Sequence, residues 1–294
     1  MNIKKSFKLG ILALVASVFV SSCSEEDPVG LFKVTAEPLL DTCYMLPGTA
    51  PAAQIKNVLL FDITGVRCSN CPKAAETAKS IVDANNGRVS AVALYADIPG
   101  LGALTAAWDG FPALNSIDAQ QLIASLGNPG SLPTGCIDQI EVNNNRMISI
   151  QGWTGEVNKR LALNTPVNLE LEATFNASDN AIRVNTKSIF TGTSADSISV
   201  IVVLTENDIE SKQSENRVQS GHIDDYKHEH VLRSILNGTS GSRITCSYTA
   251  GSVAEKHYQI TKEADWKVPN MNALVWVVNN RTKEVIHVQE TSIK

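Results

Sequence analysis

Two cysteines separated by two residues, Cys68-Ser69-Asn70-Cys71, lie between an apolar run and an amphipathic one. This feature narrows most what the chain can fold into. Val58 to Asp62 reads as a strand, and Pro72 to Ala84, beginning directly after the pair, reads as a helix. Cysteines at this spacing close a small Cys68–Cys71 disulfide at the start of a helix. There the free backbone N–H groups and the positive end of the helix dipole stabilise a thiolate. A CxxC on a strand-to-helix turn is the setting of redox chemistry. The same pair also fits a purely structural disulfide in an oxidising compartment. A zinc site needs a second pair of ligands at matching spacing, and the sequence has none, so no metal and no cofactor are expected. Arg67, adjacent to Cys68, brings a fixed positive charge that would lower the thiol pKa.

The N-terminus bears on compartment. Lys4, Lys5 and Lys8 precede an apolar run from Leu9 to Val20, too short for a comfortable membrane span. Small residues then lead to Cys23, the pattern of a bacterial lipobox, so residues 1–22 read as a signal peptide and Cys23 as the lipidated mature N-terminus. An ordinary secretory signal is the alternative. Ser24-Glu25-Glu26-Asp27 resembles the acidic export signal of surface-exposed Bacteroidetes lipoproteins. The formal net charge of -5 gives no basic footprint for nucleic acid, and membrane attachment would rest on the lipid. Beyond Cys23 the cysteines are Cys43, Cys68, Cys71, Cys136 and Cys246. Their number is odd, so at least one thiol is free or paired outside the chain. Cys43 and Cys136 are candidates for a pair, and Cys246 reads as a buried free thiol.

Residues 23–55 read as a tether with a short first strand. From residue 56 to 164, strands alternate with helices, which argues for an α/β layer: Val58 to Asp62, helix Pro72 to Ala84, Val89 to Tyr95 and helix Ile117 to Leu126. An antiparallel hairpin through Leu132–Asp138 and Met147–Ile150 follows, then a helix Glu156 to Leu163. Residues 97–129, rich in Gly and Pro around one helix, look like an insertion. Past Pro166 the pattern becomes all-β. About seven strands at regular spacing over 165–294 suggest a β-sandwich. His222, Asp224, Asp225, His228, Glu229 and His230 cluster there, and read as a polar loop leading into a short amphipathic helix, Val231 to Leu236, rather than as a metal site. Asp196-Ser197-Ile198 resembles an O-glycosylation sequence of exported Bacteroidetes proteins.

Over residues 55–163 the chain resembles the thioredoxin superfamily. Cys68 and Cys71 match its CxxC, Asp62 stands where that superfamily has a buried strand acid, and Leu132-Pro133-Thr134 resembles its cis-proline loop. The resemblance implies Cys68 as attacking thiolate, Cys71 as resolving thiol, Asp62 as the acceptor of the Cys71 proton, and Pro133 as the residue that sets a substrate-facing backbone. The residues alone leave Asp62 open to a solvent-facing reading and Pro133 to a trans bond. The aromatic residue common before the CxxC is replaced by Val66-Arg67. The whole chain resembles the Bacteroidetes lipoproteins related to outer-membrane protein 28. The likeness rests on the lipobox, the run Thr64 to Ala74, and the stretch His228 to Gly238 in the β-region. It implies a thioredoxin-like domain followed by an immunoglobulin-like β-sandwich, lipid-anchored at the outer membrane and surface-exposed. The expected activity is thiol–disulfide exchange with exported proteins that carry cysteines or disulfides. The competing expectation is a non-enzymatic surface lipoprotein whose β-sandwich binds a protein or glycan.

Overall fold

Opposite parities of apolar residues along single strands decide the architecture. The computed structural model describes residues 38–294; Cys23, the signal segment and the acidic tetrapeptide lie outside them. Strand β7 is numbered in chain order, as are all elements below, and spans Ile198–Glu206; it is buried along its whole length. Its Ile198, Val200, Val202 and Leu204 enter one core, while Ile201 and Val203 enter another. β13 (Met271–Asn279) repeats this, with Ala273, Val275 and Val277 in the first core and Leu274, Trp276 and Val278 in the second. Because side chains alternate across a strand, two such strands are covered on both faces.

The N-terminal elements are β1 (Leu40–Met45), β2 (Val58–Thr64), α1 (Cys71–Ala84), β3 (Val89–Tyr95), α2 (Gly102–Thr105), α3 (Ile117–Leu126), β4 (Thr134–Ile137) and α4 (Ile150–Leu161). The remaining strands are β5 (Val167–Asn176), β6 (Ala181–Phe190), β8 (Ile209–Ser214), β9 (His222–His228), β10 (Val231–Ile235), β11 (Ser242–Arg243), β12 (Ser252–Thr261) and β14 (Val285–Ser292). β5, β6, β12 and β1 form a four-stranded antiparallel sheet. An eight-stranded sheet runs β14-β13-β7-β10-β3-β2-β4, with β11 added on β7. Its β7 and β13 pack against the four-stranded sheet through the sandwich core. α3 covers the other face through Ala119, Leu122, Ile123 and Leu126, and α1 and α4 cover β2 and β4 through Ala74, Ala78, Trp153 and Val157.

The fold is mostly β with few helices, and several expectations need correction. The eight-stranded sheet takes strands from both sides of residue 164, because β10 pairs in parallel with β3 at Val231↔Ala93 while also pairing with β7. Val231 to Leu236 holds a strand rather than a helix. Its Val231, Leu232 and Ile235 mimic a helical stripe, but β7 and β3 pair its two edges and separate cores take Leu232 with Ile235 and Val231. The polar segment 222–230 is largely strand β9, which alternates sides in a two-stranded ribbon with β8. α4 begins at Ile150, so the second arm of the expected hairpin shrinks to the bridge Gly135↔Ile148. Among the strands of the C-terminal region, β11 is only the pair Ser242–Arg243.

Cysteine pairing differs too. Cys43 bonds Cys246 across 203 residues, with Cα atoms 5.5 Å apart, and Cys136 is the free, buried thiol. Register explains this. Cys43 lies on β1 opposite Ala254 of β12, while Cys136 lies on β4 opposite Phe61, inside the α3-covered core.

A buried ion cluster joins the C-terminal β14 to β2 and β4. Lys56, only 1% exposed, places Nζ 2.9 Å from Asp138 and donates to the carbonyls of Val285 and Ile286. Arg160 of α4 donates to the same carboxylate at 2.9 Å, and the Leu59 amide donates to its other oxygen. Removing one member of such a cluster leaves a charge buried without its partner. Asp138→Ala is therefore expected to lower the unfolding free energy in urea titrations by about 3–5 kcal/mol; a loss under about 1 kcal/mol would show the cluster to be dispensable.

Candidate functional site

β2 delivers the chain to the site and a glycine turns it. A Cβ on Gly65 would stand 2.4 Å from the Leu104 carbonyl oxygen, so only glycine lets the CxxC loop pass under the α2 segment. The Cys68 amide then donates to Gly65 O and the Cys71 amide to Cys68 O, which winds the loop into α1. Pro72, lacking an N–H, falls in the first turn, where no intrahelical donor is needed. Cys68 and Cys71 are joined as a disulfide, and each is 2% exposed.

Asp62 lies on β2 opposite Gly135 of β4. It is 4% exposed, and its Oδ1 has no hydrogen-bond partner. Burial pushes this carboxyl up to about 7, since the charged form loses water and gains no cation in return. The Leu132–Pro133 bond is cis, and the pairing Ile63↔Thr134 puts Pro133 level with the end of β2, beside the CxxC turn. Gly135 is required here as well, because a Cβ would lie 2.5 Å from the Trp153 ring.

Arg67 faces the loop after α2. It donates to the carbonyls of Ala106 and Ala107, each at 2.9 Å, and its guanidinium stacks 3.9 Å from the centre of the Trp108 ring. Trp108 in turn donates from Nε1 to Val66 O. An aromatic ring from a distant part of the chain thus packs on the two residues that precede the CxxC. Sequence reading passed over it because it sits in a Gly- and Pro-rich stretch with no periodicity.

The residues that close the site were also missed. The β8–β9 ribbon lies on the CxxC loop. The Ser214 amide donates to Val66 O at 2.8 Å and the Asn216 amide to Ser69 O at 3.3 Å. Gln213, itself 1% exposed, donates from Nε2 to Cys68 O at 3.0 Å and to Gly65 O at 3.3 Å. Asn216 Nδ2 meets Asn70 Oδ1. Arg217, at the ribbon tip, forks onto both oxygens of Glu76 on α1. Backbone carbonyls of a CxxC loop are thereby paired with a strand of the same chain, much as they would pair with an extended peptide. Within β9, His228 accepts at Nδ1 from the Tyr95 hydroxyl, and its Nε2 faces Ser211 O. Burial lowers its pKa to about 4, so the ring is neutral at physiological pH. Asp224 pairs with Lys212. These ribbon residues thus serve local structure, and among the described residues no three His, Cys, Asp or Glu side chains gather as metal ligands would.

No curated protein matches the sequence. Among solved structures, HBP35 of Porphyromonas gingivalis resembles the chain at a TM-score of 0.64 and 18% identity, covering 83% of this chain and 77% of that one; at that identity the likeness speaks for the fold alone. A domain of the outer membrane lipoprotein Omp28 from Porphyromonas gingivalis aligns at 19% identity over 44% of this chain and 89% of its own, with a TM-score of 0.31, too loose to carry an argument. The family described as outer membrane protein Omp28 matches residues 119–294, more than half of the chain. The chain belongs to the Omp28 family of outer membrane proteins.

Proposed function

We propose that this outer membrane lipoprotein is a thiol–disulfide oxidoreductase, lipid-anchored through Cys23 and surface-exposed, acting on exported proteins through Cys68 and Cys71. The observation that carries the reading is the pairing of a CxxC at the start of α1 with a buried, hydrogen-bond-deficient carboxyl on the strand that feeds it. In this reading residues 56–164 are a thioredoxin-like half and 165–294 an immunoglobulin-like half that contributes the ribbon over the site.

The chemistry balances without a cofactor. In the reduced protein, the Cys68 thiolate attacks one sulfur of a client disulfide, and the other client sulfur leaves as a thiolate. Cys71 gives its proton to Asp62 and attacks the Cys68 sulfur. The second client thiolate departs and the Cys68–Cys71 disulfide closes, so two electrons pass to the client. The reverse sequence oxidises a client dithiol through the same mixed disulfide. A carboxyl titrating near 7 is suited to take and return that proton at neutral pH. Exchange with a protein waits on the ribbon lifting from the loop. A second reading, a non-enzymatic surface lipoprotein with a structural disulfide, draws on the burial of both sulfurs beneath that ribbon.

Trapping separates the two. Cys71→Ala, expressed as the full lipoprotein, should accumulate reductant-sensitive mixed disulfides with envelope proteins, and Cys68→Ser/Cys71→Ala should accumulate none. Equal yields from both variants would favour the structural reading. The state of Asp62 is testable on its own. Its folded pKa lies above its unfolded value, so the folded state holds more protons between about pH 4 and 7 and stability falls as pH rises through that window. Asp62→Asn is expected to flatten this part of the pH–stability curve, with a gain on the order of a few kcal/mol at pH 8; parallel curves for the two proteins would contradict the assignment.

A further inference from the structure

Behind the CxxC helix the ribbon does not seal against the sheet. A cavity of about 330 Å³ remains between α1, β2, β3 and β9, at the small end of the range of ligand clefts. Its space comes from alanines: Ala75 and Ala78 on the inner side of α1, and Ala91 and Ala93 on β3. Larger residues there would fill it with ordinary core. Tyr95 and Tyr226 add aromatic walls, so most of the exposed lining is apolar.

Charge is distributed unevenly over the polar residues. At the mouth Lys79 is held by Asp83 at 2.8 Å, Lys227 by Glu210 at 2.9 Å and Asp208 at 3.3 Å, and Glu76 by Arg217. His228 is neutral and already bonded to Tyr95. His230, its pKa lowered by burial, keeps an unpartnered buried Nδ1. Asp62 and Glu229 line the same cavity, and neither has an ion-pair partner among the described residues. Burial raises the pKa of both: at Asp62 no cation offsets it, whereas at Glu229, on the exposed rim, Lys79 and Lys227 pull the other way.

We propose that this cavity is a binding site for a small organic ammonium with an aromatic or aliphatic body, its cation between Asp62 and Glu229 and its apolar part among the alanines and Tyr226. The tyrosine face supplies a further attraction for the cation or for the ring beside it. The site is separate from disulfide exchange as a binding event, because the cavity exists with Cys68 and Cys71 already joined. Occupancy would cover Asp62, and would therefore also withdraw the proton acceptor from the exchange proposed above.

Isothermal titration of the oxidised protein tests the proposal without reference to redox activity, so its failure and the failure of the oxidoreductase reading are distinguishable. The probe is 2-phenylethylammonium, with 2-phenylethanol and 3-phenylpropanoate as neutral and anionic counterparts. Saturable binding of the ammonium is expected, at least tenfold tighter than either counterpart. Asp62→Asn should weaken it tenfold or more. Ala75→Leu, at a partly exposed helix position where added bulk is tolerated, should abolish it. Binding should also release protons, visible as a dependence of the heat on the buffer's ionisation enthalpy. No saturable binding at millimolar ammonium, equal binding of 2-phenylethanol, or full affinity in Asp62→Asn would each overturn the assignment.

Discussion

The site depends on one strand junction. β10 meets β3 in parallel at a single register pair, Val231↔Ala93, reinforced by the Ala93 amide donating to His230 O at 2.8 Å. Through this contact the strands around the CxxC and the strands of the C-terminal half become one sheet. β9 ends only three residues before Val231, so the junction also fixes where the ribbon lies. α3 braces the junction from outside: Asp118 accepts the Ile235 amide at 2.6 Å. At the far end the Lys56–Asp138–Arg160 cluster, with the Val285 amide donating to Asp138 O, ties β14 to β4. A parallel strand pair needs coverage on both faces to survive, and α1, α3 and the ribbon provide it.

The ribbon sets the reactivity of the disulfide against access to it. Burial gives Asp62 a pKa suited to proton transfer but leaves both sulfurs out of reach of a client. The magnitudes favour a closure that opens. The Arg217–Glu76 pair is half exposed on both sides, and such pairs contribute about 0–1 kcal/mol. The hydrogen bonds from Ser214, Asn216 and Gln213 to the loop are worth about 1 kcal/mol each. A hold of about 3–4 kcal/mol leaves the loop uncovered in roughly one molecule per several hundred, an opening of the size that the proposed exchange requires.

What the sequence disclosed followed the range of the interactions. The CxxC, the helix after it, β2, β3 and α3 rest on local pattern and neighbouring residues, and the structure has them within a residue or two. Asp62 and Pro133 were visible through a resemblance that links three short segments in order. The ribbon was not, because His222 to His228 is polar in composition, and its strand character comes only from pairing with β8. Val231, Leu232 and Ile235 carry a spacing that serves a helix and a doubly buried strand alike; the partner strands decide, and they lie far away in the chain. The Cys43–Cys246 bond had no local signal either, since its two cysteines are 203 residues apart and β1 is placed by pairing with β12. Trp108 likewise had no local signal, since it reaches Val66 and Arg67 only through the tertiary fold.

The central claim, that the C-terminal ribbon governs the chemistry of Cys68–Cys71, is tested most directly by the rate at which excess dithiothreitol reduces this disulfide, read by mass spectrometry of the alkylated peptide. A protein carrying Gln213→Ala and Arg217→Ala, which loosens the ribbon and leaves the side chains of Cys68, Cys71 and Asp62 unaltered, should be reduced about tenfold faster than the unaltered protein, from the lost hydrogen bonds and ion pair, while Cys43–Cys246 in the same molecules reacts at an unchanged rate. Equal rates at Cys68–Cys71 in the two proteins, both folded to the same stability, would contradict it.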